Sequence, residues 1–294
     1  MRVLNLGAGV GSTTVYLLAM DGLIDPIDYA VFADTMGEPK AVYEHLRWLQ
    51  GLGGPRIAVR SRGDLAMNLS RGVHAAGQGR KGGSRRFVSI PAYTSSPIDL
   101  EAREGQVRRQ CTREYKVDVV EQAIRELLGV AKGRRVPKGT RVVQSFGLHD
   151  DEGSRIKSVK ARMAGHPWAV PAFPLAEIGW TRERCLAWLA KRVPHQVPRS
   201  ACTFCPYRSD SEWKHLRDSD PEGWAQAVKV DESIRDPASA CARGMEAALY
   251  LHRSCTPLPL VDIDAGAARE EARRQAGRQP DLFGLEDCVG MCGL

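Results

Sequence analysis

Apolar positions along the first sixty residues fall into short runs separated by stretches of helical spacing. The run RVLNL over residues 2–6 suits a buried strand, the glycines after it form a turn, and VYLLAM from Val15 carries the apolar period of a helix. The pattern then repeats. YAVFA from Tyr29 predicts a second strand, residues 39–52 a helix with Pro39 at an early position, and RIAVR from Arg56 a third strand. Strands alternating with helices predict an α/β fold, a doubly wound and mostly parallel sheet that binds ligands at its carboxyl ends. Further on, residues 113–128 regain helical spacing, residues 140–146 predict a strand, and residues 180–192 a helix started by Thr181 and ended before Pro194. The division expected is an α/β domain over residues 1–195 and a helical, cysteine-bearing region over residues 196–294.

Between these segments the pattern breaks once. Residues 70–86 (SRGVHAAGQGRKGGSRR) hold too little apolar surface for a packed element and predict a mobile basic loop. For the chain as a whole, 43% hydrophobic and 26% charged residues in 294 exclude a disordered or fibrous protein. No apolar run reaches the roughly 18 residues that span a bilayer, and Met1-Arg2 leads into a strand-like segment, so a cytoplasmic protein without membrane contact is expected. A net charge of +7 suits a phosphate-bearing partner without identifying one. Eight cysteines are too few and too clustered for a secreted disulfide scaffold, which makes metal ligation or thiol chemistry the expectation for some of them.

The turn Gly7-Ala8-Gly9-Val10-Gly11-Ser12 joins the first strand to the first helix, where free backbone N–H groups and a helix N-terminus favour an anion. No Gly-Lys-Ser/Thr follows, and the G-x-G-x-x-G spacing is not met. Asp34 ends the second strand, either as a turn residue or beside a nucleotide and its Mg²⁺. Cys202 and Cys205 have C-x-x-C spacing, which serves a metal, a cluster face or a redox pair.

Taken in order, GAGVGST, FADTMGEP, RRQCTREYKV, GLHDDEGSR, CTFCP and the terminal CGL resemble the PP-loop superfamily, and within it the branch similar to phosphoadenosine phosphosulfate (PAPS) reductases. The resemblance covers nearly the whole chain. It implies an adenine nucleotide α-hydrolase-like fold that binds ATP, PAPS or adenylyl sulfate, with phosphates at residues 7–12. The superfamily loop is typically SGGxDS; Gly7, Ala8 and Gly11 replace its Ser, second-position Gly and Asp, while Gly9 and Ser12 match. GLHDDEGSR resembles the family's G-I-S-x-D-E-x-x-R, which implies Asp151, Glu152 and Arg155 near the nucleotide; an exposed, salt-bridged helix start is the plainer reading of the three.

The same resemblance implies a [4Fe–4S] cluster held by Cys111, Cys202 and Cys205, since RRQCTREYKV is similar to a segment that supplies cluster cysteines; a structural Zn²⁺ is the alternative. Gln110-Cys111 stands where cluster-type reductases have a Cys pair, so one ligand is missing. Cys288 completes the set and leaves Cys292 as a mobile thiol, or both tail cysteines exchange sulfur beside a three-cysteine cluster; Cys292 in the terminal Cys-Gly resembles the nucleophile of PAPS reductases. Cys185, Cys241 and Cys255 have no spaced partner and are expected to pack as small hydrophobes.

Arg80, Lys81, Arg85 and Arg86 of the basic loop, with Arg109 and Arg113 around Cys111, are candidate contacts to a phosphate-rich substrate, or solvated surface. The histidines suggest no metal spacing and receive no role. Three functions follow from the resemblance. The first is adenylation of an acceptor and delivery of sulfur to it, with tRNA or a DNA backbone as acceptor and a cysteine desulfurase as a sulfur donor. The second is reduction of PAPS or adenylyl sulfate by Cys292 with thioredoxin, and the third a binding subunit with a structural metal and no turnover.

Overall fold

The structure is a computed structural model. It describes residues 1–74, 85–86, 89–94, 105–243, 245 and 247–276, with backbone only at 73–74 and 85–86. The elements in chain order are β1 (Arg2–Leu6), α1 (Val10–Met20), β2 (Tyr29–Asp34), α2 (Lys40–Gly51), β3 (Arg56–Ser61), α3 (Leu65–Arg71), β4 (Val73–His74), β5 (Arg85–Arg86), β6 (Tyr93–Thr94) and β7 (Gly105–Gln106). A π-helical turn over Thr112–Val117 then leads into α4 (Asp118–Leu127), followed by β8 (Val142–Phe146), α5 (Gly153–Met163), β9 (Ala169–Ala172), α6 (Pro174–Glu177) and α7 (Arg182–Leu189). The rest is α8 (Asp210–Ser219), α9 (Pro221–Arg235), β10 (Leu249–Tyr250), a 3₁₀ turn at Leu258–Leu260 and α10 (Ile263–Gln275).

Five strands make one parallel sheet in the order β3–β2–β1–β8–β9. The chain leaves β1 for β2 and β3 on one side and returns to β8 and β9 on the other, which makes the β1/β8 junction the topological switch point. Because helices cover both faces, the central strands are apolar on both. Leu4, Leu6, Ala30 and Phe32 pack with α1, α2 and α7, while Val3, Val31, Ala33 and Val142 pack with α4. Helix α1, between the sheet and α7, is buried from Val10 to Leu18, so it lacks the polar face of a surface helix. The α/β class and parallel sheet read from the periodicity are therefore present.

Beyond the sheet, Leu65 and Leu69 of α3, Ile90 and Tyr115 share one core with Trp213, Leu216, Ala227 and Val230 of α8 and α9. Asp231, fully buried, accepts backbone N–H bonds from Leu251 at 2.9 Å and Leu258 at 2.8 Å and pairs with Arg235, tying the segment after α9 to that helix. A capping box of Ser209 and Glu212 starts α8.

The basic loop expected from Ser70 begins later: Ser70 and Arg71 close α3, and Val73–His74 pair antiparallel with Arg85–Arg86. Arg80 and Lys81 lie outside the described residues, as do Cys288 and Cys292. Among the described residues no helix is long and apolar enough to cross a membrane.

Candidate functional site

A cleft of about 410 Å³ opens at the switch point, above the carboxyl ends of β1 and β8. Gly7, Gly9, Val10, Gly11 and Ser12 line it, as the sequence leads one to expect; Ala8 turns inward, fully buried at φ 56°. No side chain caps α1. Ser12 instead folds back, its Oγ accepting from Gly7 N at 3.2 Å and donating to the Gly9 carbonyl at 3.3 Å. The first-turn N–H groups, the positive end of the helix dipole, therefore border the cleft. The opposite wall comes from residues 195–200, and an added β-carbon on Gly9 would stand 3.1 Å from Ser200 Cβ.

The two glycines at the base are there for close approach. A β-carbon on Gly11 would meet the Gly147 carbonyl oxygen at 1.9 Å, and one on Gly147 would meet Ser12 N at 2.3 Å. The position that carries Asp in the superfamily loop therefore has no room for any side chain in this chain.

Of the acidic motif, it is His149 that lines the cleft, not Asp151, Glu152 or Arg155. Asp151 is exposed. Glu152 stands behind His149: one carboxylate oxygen accepts both the His149 backbone N–H and its Nδ1–H, each at 2.8 Å, and the other pairs with Arg155. Burial alone would raise the Glu152 carboxyl, but the His149 hydrogen bond and the Arg155 charge outweigh it and hold the group below the ordinary carboxylate value. His149 is 3% exposed, and its Nε2 has no hydrogen-bond partner.

A second imidazole faces the same cleft. His195 Nε2 bonds His45 Nδ1 at 2.8 Å, and His45 Nε2 bonds Thr13 Oγ1 at 2.8 Å, with Trp48 stacked on His45 at 5.5 Å. Burial, with a smaller contribution from His195, pushes His45 down to about 4, so it is neutral at physiological pH. Arg182 and Arg199 add positive charge to a polar lining that also holds Asn5, Gln196 and Ser200. Arg199 donates to Glu212 and, at 2.9 Å, to the Tyr207 carbonyl, leaving its Nε without a partner. The sequence reading gave none of these residues a role. His149 lies inside the quoted motif and was open to notice there; His45 carries no local signal.

Asp34 takes the plainer of its two readings: Oδ1 accepts from Met36 N at 2.7 Å and Tyr43 OH at 2.9 Å, and the residue does not line the cleft.

Three of the predicted cysteines come together. Cys111, Cys202 and Cys205 line one small cavity of about 30 Å³ with Thr35, Arg109 and Lys116, above the carboxyl end of β2. Cys111 sits at the start of the π-helical turn, a wide-turn geometry found often at functional sites. Cys205 N bonds the Cys202 carbonyl at 3.1 Å, closing the C-x-x-C turn. Cys202 Sγ lies 3.1 Å from Thr35 Oγ1 and 3.8 Å from Glu38 Oε1, and Glu38 forms a buried pair with Lys116 at 3.1 Å. Under the turn, Arg208 donates to the carbonyls of Ala201, Cys202 and Thr203 at 3.0–3.2 Å. Burial, then Arg199, pull Arg208 below the usual guanidinium range, while Cys205, Cys202 and Glu38 oppose them. Arg109 stacks over Tyr207 at 5.4 Å. Arg113 points elsewhere, to Asp118 at 2.6 Å. Cys185 is fully buried, and burial pushes its thiol up to about 11; Cys241 is buried as well.

Among the described residues no three His, Cys, Asp or Glu side chains are gathered to hold a metal ion. A zinc tetrahedron needs its sulfurs about 3.8 Å apart, from Zn–S bonds of about 2.3 Å. The three cysteines share the cavity lining with Arg109 and Lys116, and Arg208 lies beneath the C-x-x-C turn.

The cleft and the cysteine cavity both sit on the carboxyl edge of the sheet, and the chain passes from the cleft wall at Ser200 to Cys202 in two residues. No protein-family model, curated protein or solved structure matches the chain.

Proposed function

We propose that the protein is a PP-loop-type sulfur-transfer enzyme, binding ATP at the glycine turn and using the neighbouring cysteines to handle sulfur. What carries the reading is one juxtaposition: an anion-ready cleft at the switch point, whose wall at Arg199 and Ser200 is two residues along the chain from Cys202 in a cavity lined by three thiols. Backbone N–H groups of α1, Arg182 and Arg199 hold the phosphates, and the apolar side chains of Leu186 and Val197 in the cleft accept an adenosine.

In the reaction that the resemblance implies, an acceptor oxygen attacks the α-phosphorus and pyrophosphate leaves. A hydrosulfide-level sulfur then displaces AMP, which departs with that oxygen, and the exchange is redox-neutral. A persulfide carrier reaches the same product when its outer sulfur displaces AMP and a second cysteine thiol attacks the inner sulfur of the resulting mixed disulfide, freeing the thiolated acceptor and leaving a Cys–Cys disulfide that a dithiol reductant returns to thiols. A [4Fe–4S] cluster would be held by Cys111, Cys202 and Cys205, with Cys288 as the fourth ligand, and would supply one-electron chemistry and affinity for sulfur; the cavity must widen to receive it. The net charge of +7 and the basic segment that contains Arg85 and Arg86 suit a nucleic acid acceptor. The test is pyrophosphate release from ATP by anaerobically prepared protein, with and without tRNA or DNA.

Gly11 favours a second reading. With no carboxylate possible at that position, the cleft suits a nucleotide that is bound but not cleaved between its α- and β-phosphates, such as PAPS or adenylyl sulfate, whose sulfonate Cys292 would attack. Sulfite release with thioredoxin, without pyrophosphate release from ATP, selects this reading.

A further inference from the structure

The carboxylates stand behind the cleft and not in its wall. Among the described residues lining it there is no Asp or Glu, whereas Arg182, Arg199, His149 and His195 border it; Glu152 and Glu212 pair with His149 and Arg199 from outside the lining. Mg²⁺ in nucleotide sites is held by one or two carboxylates together with the substrate phosphates. Here the loop position for such a carboxylate is closed, because the Gly147 carbonyl fills the space at 1.9 Å, and Asp34 is bonded to Met36 and Tyr43 away from the cleft.

Three polar atoms are left over: His149 Nε2, Arg199 Nε and Asn5 Oδ1 are buried, without hydrogen-bond partners, and all three belong to cleft-lining residues. Buried donors and acceptors are nearly always satisfied, and a group left alone in a site points to a ligand that satisfies it. The placement of His149 is deliberate, since Glu152 fixes its backbone and its Nδ1–H and so orients Nε2 toward Gly11, whose added β-carbon would lie 3.3 Å from it.

We propose that this cleft binds nucleotide phosphates without a divalent cation, the Arg182 and Arg199 guanidiniums supplying positive charge and the His149 imidazole a hydrogen bond where Mg²⁺ serves elsewhere. The inference rests on the nucleotide reading above and adds to it how the phosphate charge is met.

The test is calorimetric titration of the full chain with ATP, once in EDTA and once in excess Mg²⁺. The proposal expects dissociation constants within about threefold of each other, and Arg182→Gln and His149→Gln to weaken binding about tenfold or more in EDTA. Arg182 is part-exposed with no structural partner in the described residues, so its variant is expected to fold even if the buried His149 variant does not. Binding that weakens tenfold or more in EDTA overturns the proposal and leaves the nucleotide reading standing. Absence of binding in both buffers overturns both.

Discussion

The carbonyl oxygen of Gly147 stands 1.9 Å from the place where a β-carbon on Gly11 would be. The first turn of α1 and the residue after β8 are drawn so close that position 11 has no room for a side chain. Gly11→Ala is expected to destabilise the protein by about 3 kcal/mol through overpacking against backbone that cannot yield, and Gly11→Asp to leave no folded protein. Gly153→Ala is the control, at a helix start with nothing within 4 Å, and should be neutral or slightly stabilising. Denaturant midpoints of the variants check this.

Glu152 and Asp151 are neighbours with opposite expectations. Glu152 acts through His149, so Glu152→Gln is expected to weaken nucleotide binding about tenfold, the range typical of lost second-layer support. Asp151→Asn, exposed and off the cleft, should leave affinity unchanged. Calorimetric titration of both separates the two carboxylates that the motif alone treats alike.

His45 predicts a pH dependence. Its folded value of about 4 lies below the ordinary histidine value of 6.5, so the unfolded chain binds the extra proton first as pH falls. Stability is therefore undiminished above about pH 7 and declines toward pH 4, by about 2 kcal/mol at pH 5. His45→Gln should remove that part of the slope when urea midpoints are compared at pH 7.5 and pH 5.

Lys116 and Glu38 form a pair whose side chains are 7% and 1% exposed. Lys116→Met leaves the Glu38 charge buried beside Cys202 and is expected to cost about 3–5 kcal/mol, much of it recovered when Glu38→Gln is added. A double-mutant cycle on thermal unfolding measures the difference.

Much of this was legible in the sequence because local patterns carried it. The strand at Arg2–Leu6 and the helix capped by Thr181 follow from periodicity and capping chemistry, and the expectation that Cys111 meets the C-x-x-C came from the resemblance of RRQCTREYKV to a cluster-cysteine segment. What stayed hidden depends on tertiary context. β9 contains Pro171, which reads against a strand and is tolerated because the strand is at the sheet edge. The short α3 gains its stability from the core around Trp213, not from its own seven residues. His195 and His45 meet across 150 residues, a relation no spacing rule reveals.

The account stands on Cys111, Cys202 and Cys205 acting together as ligands and sulfur handlers. Iron and acid-labile sulfide analysis of anaerobically purified protein tests it most directly. The account predicts about four of each per chain, with the brown colour lost in Cys111→Ser, Cys202→Ser and Cys205→Ser. A colourless protein with no iron, or iron retained in all three variants, would contradict it.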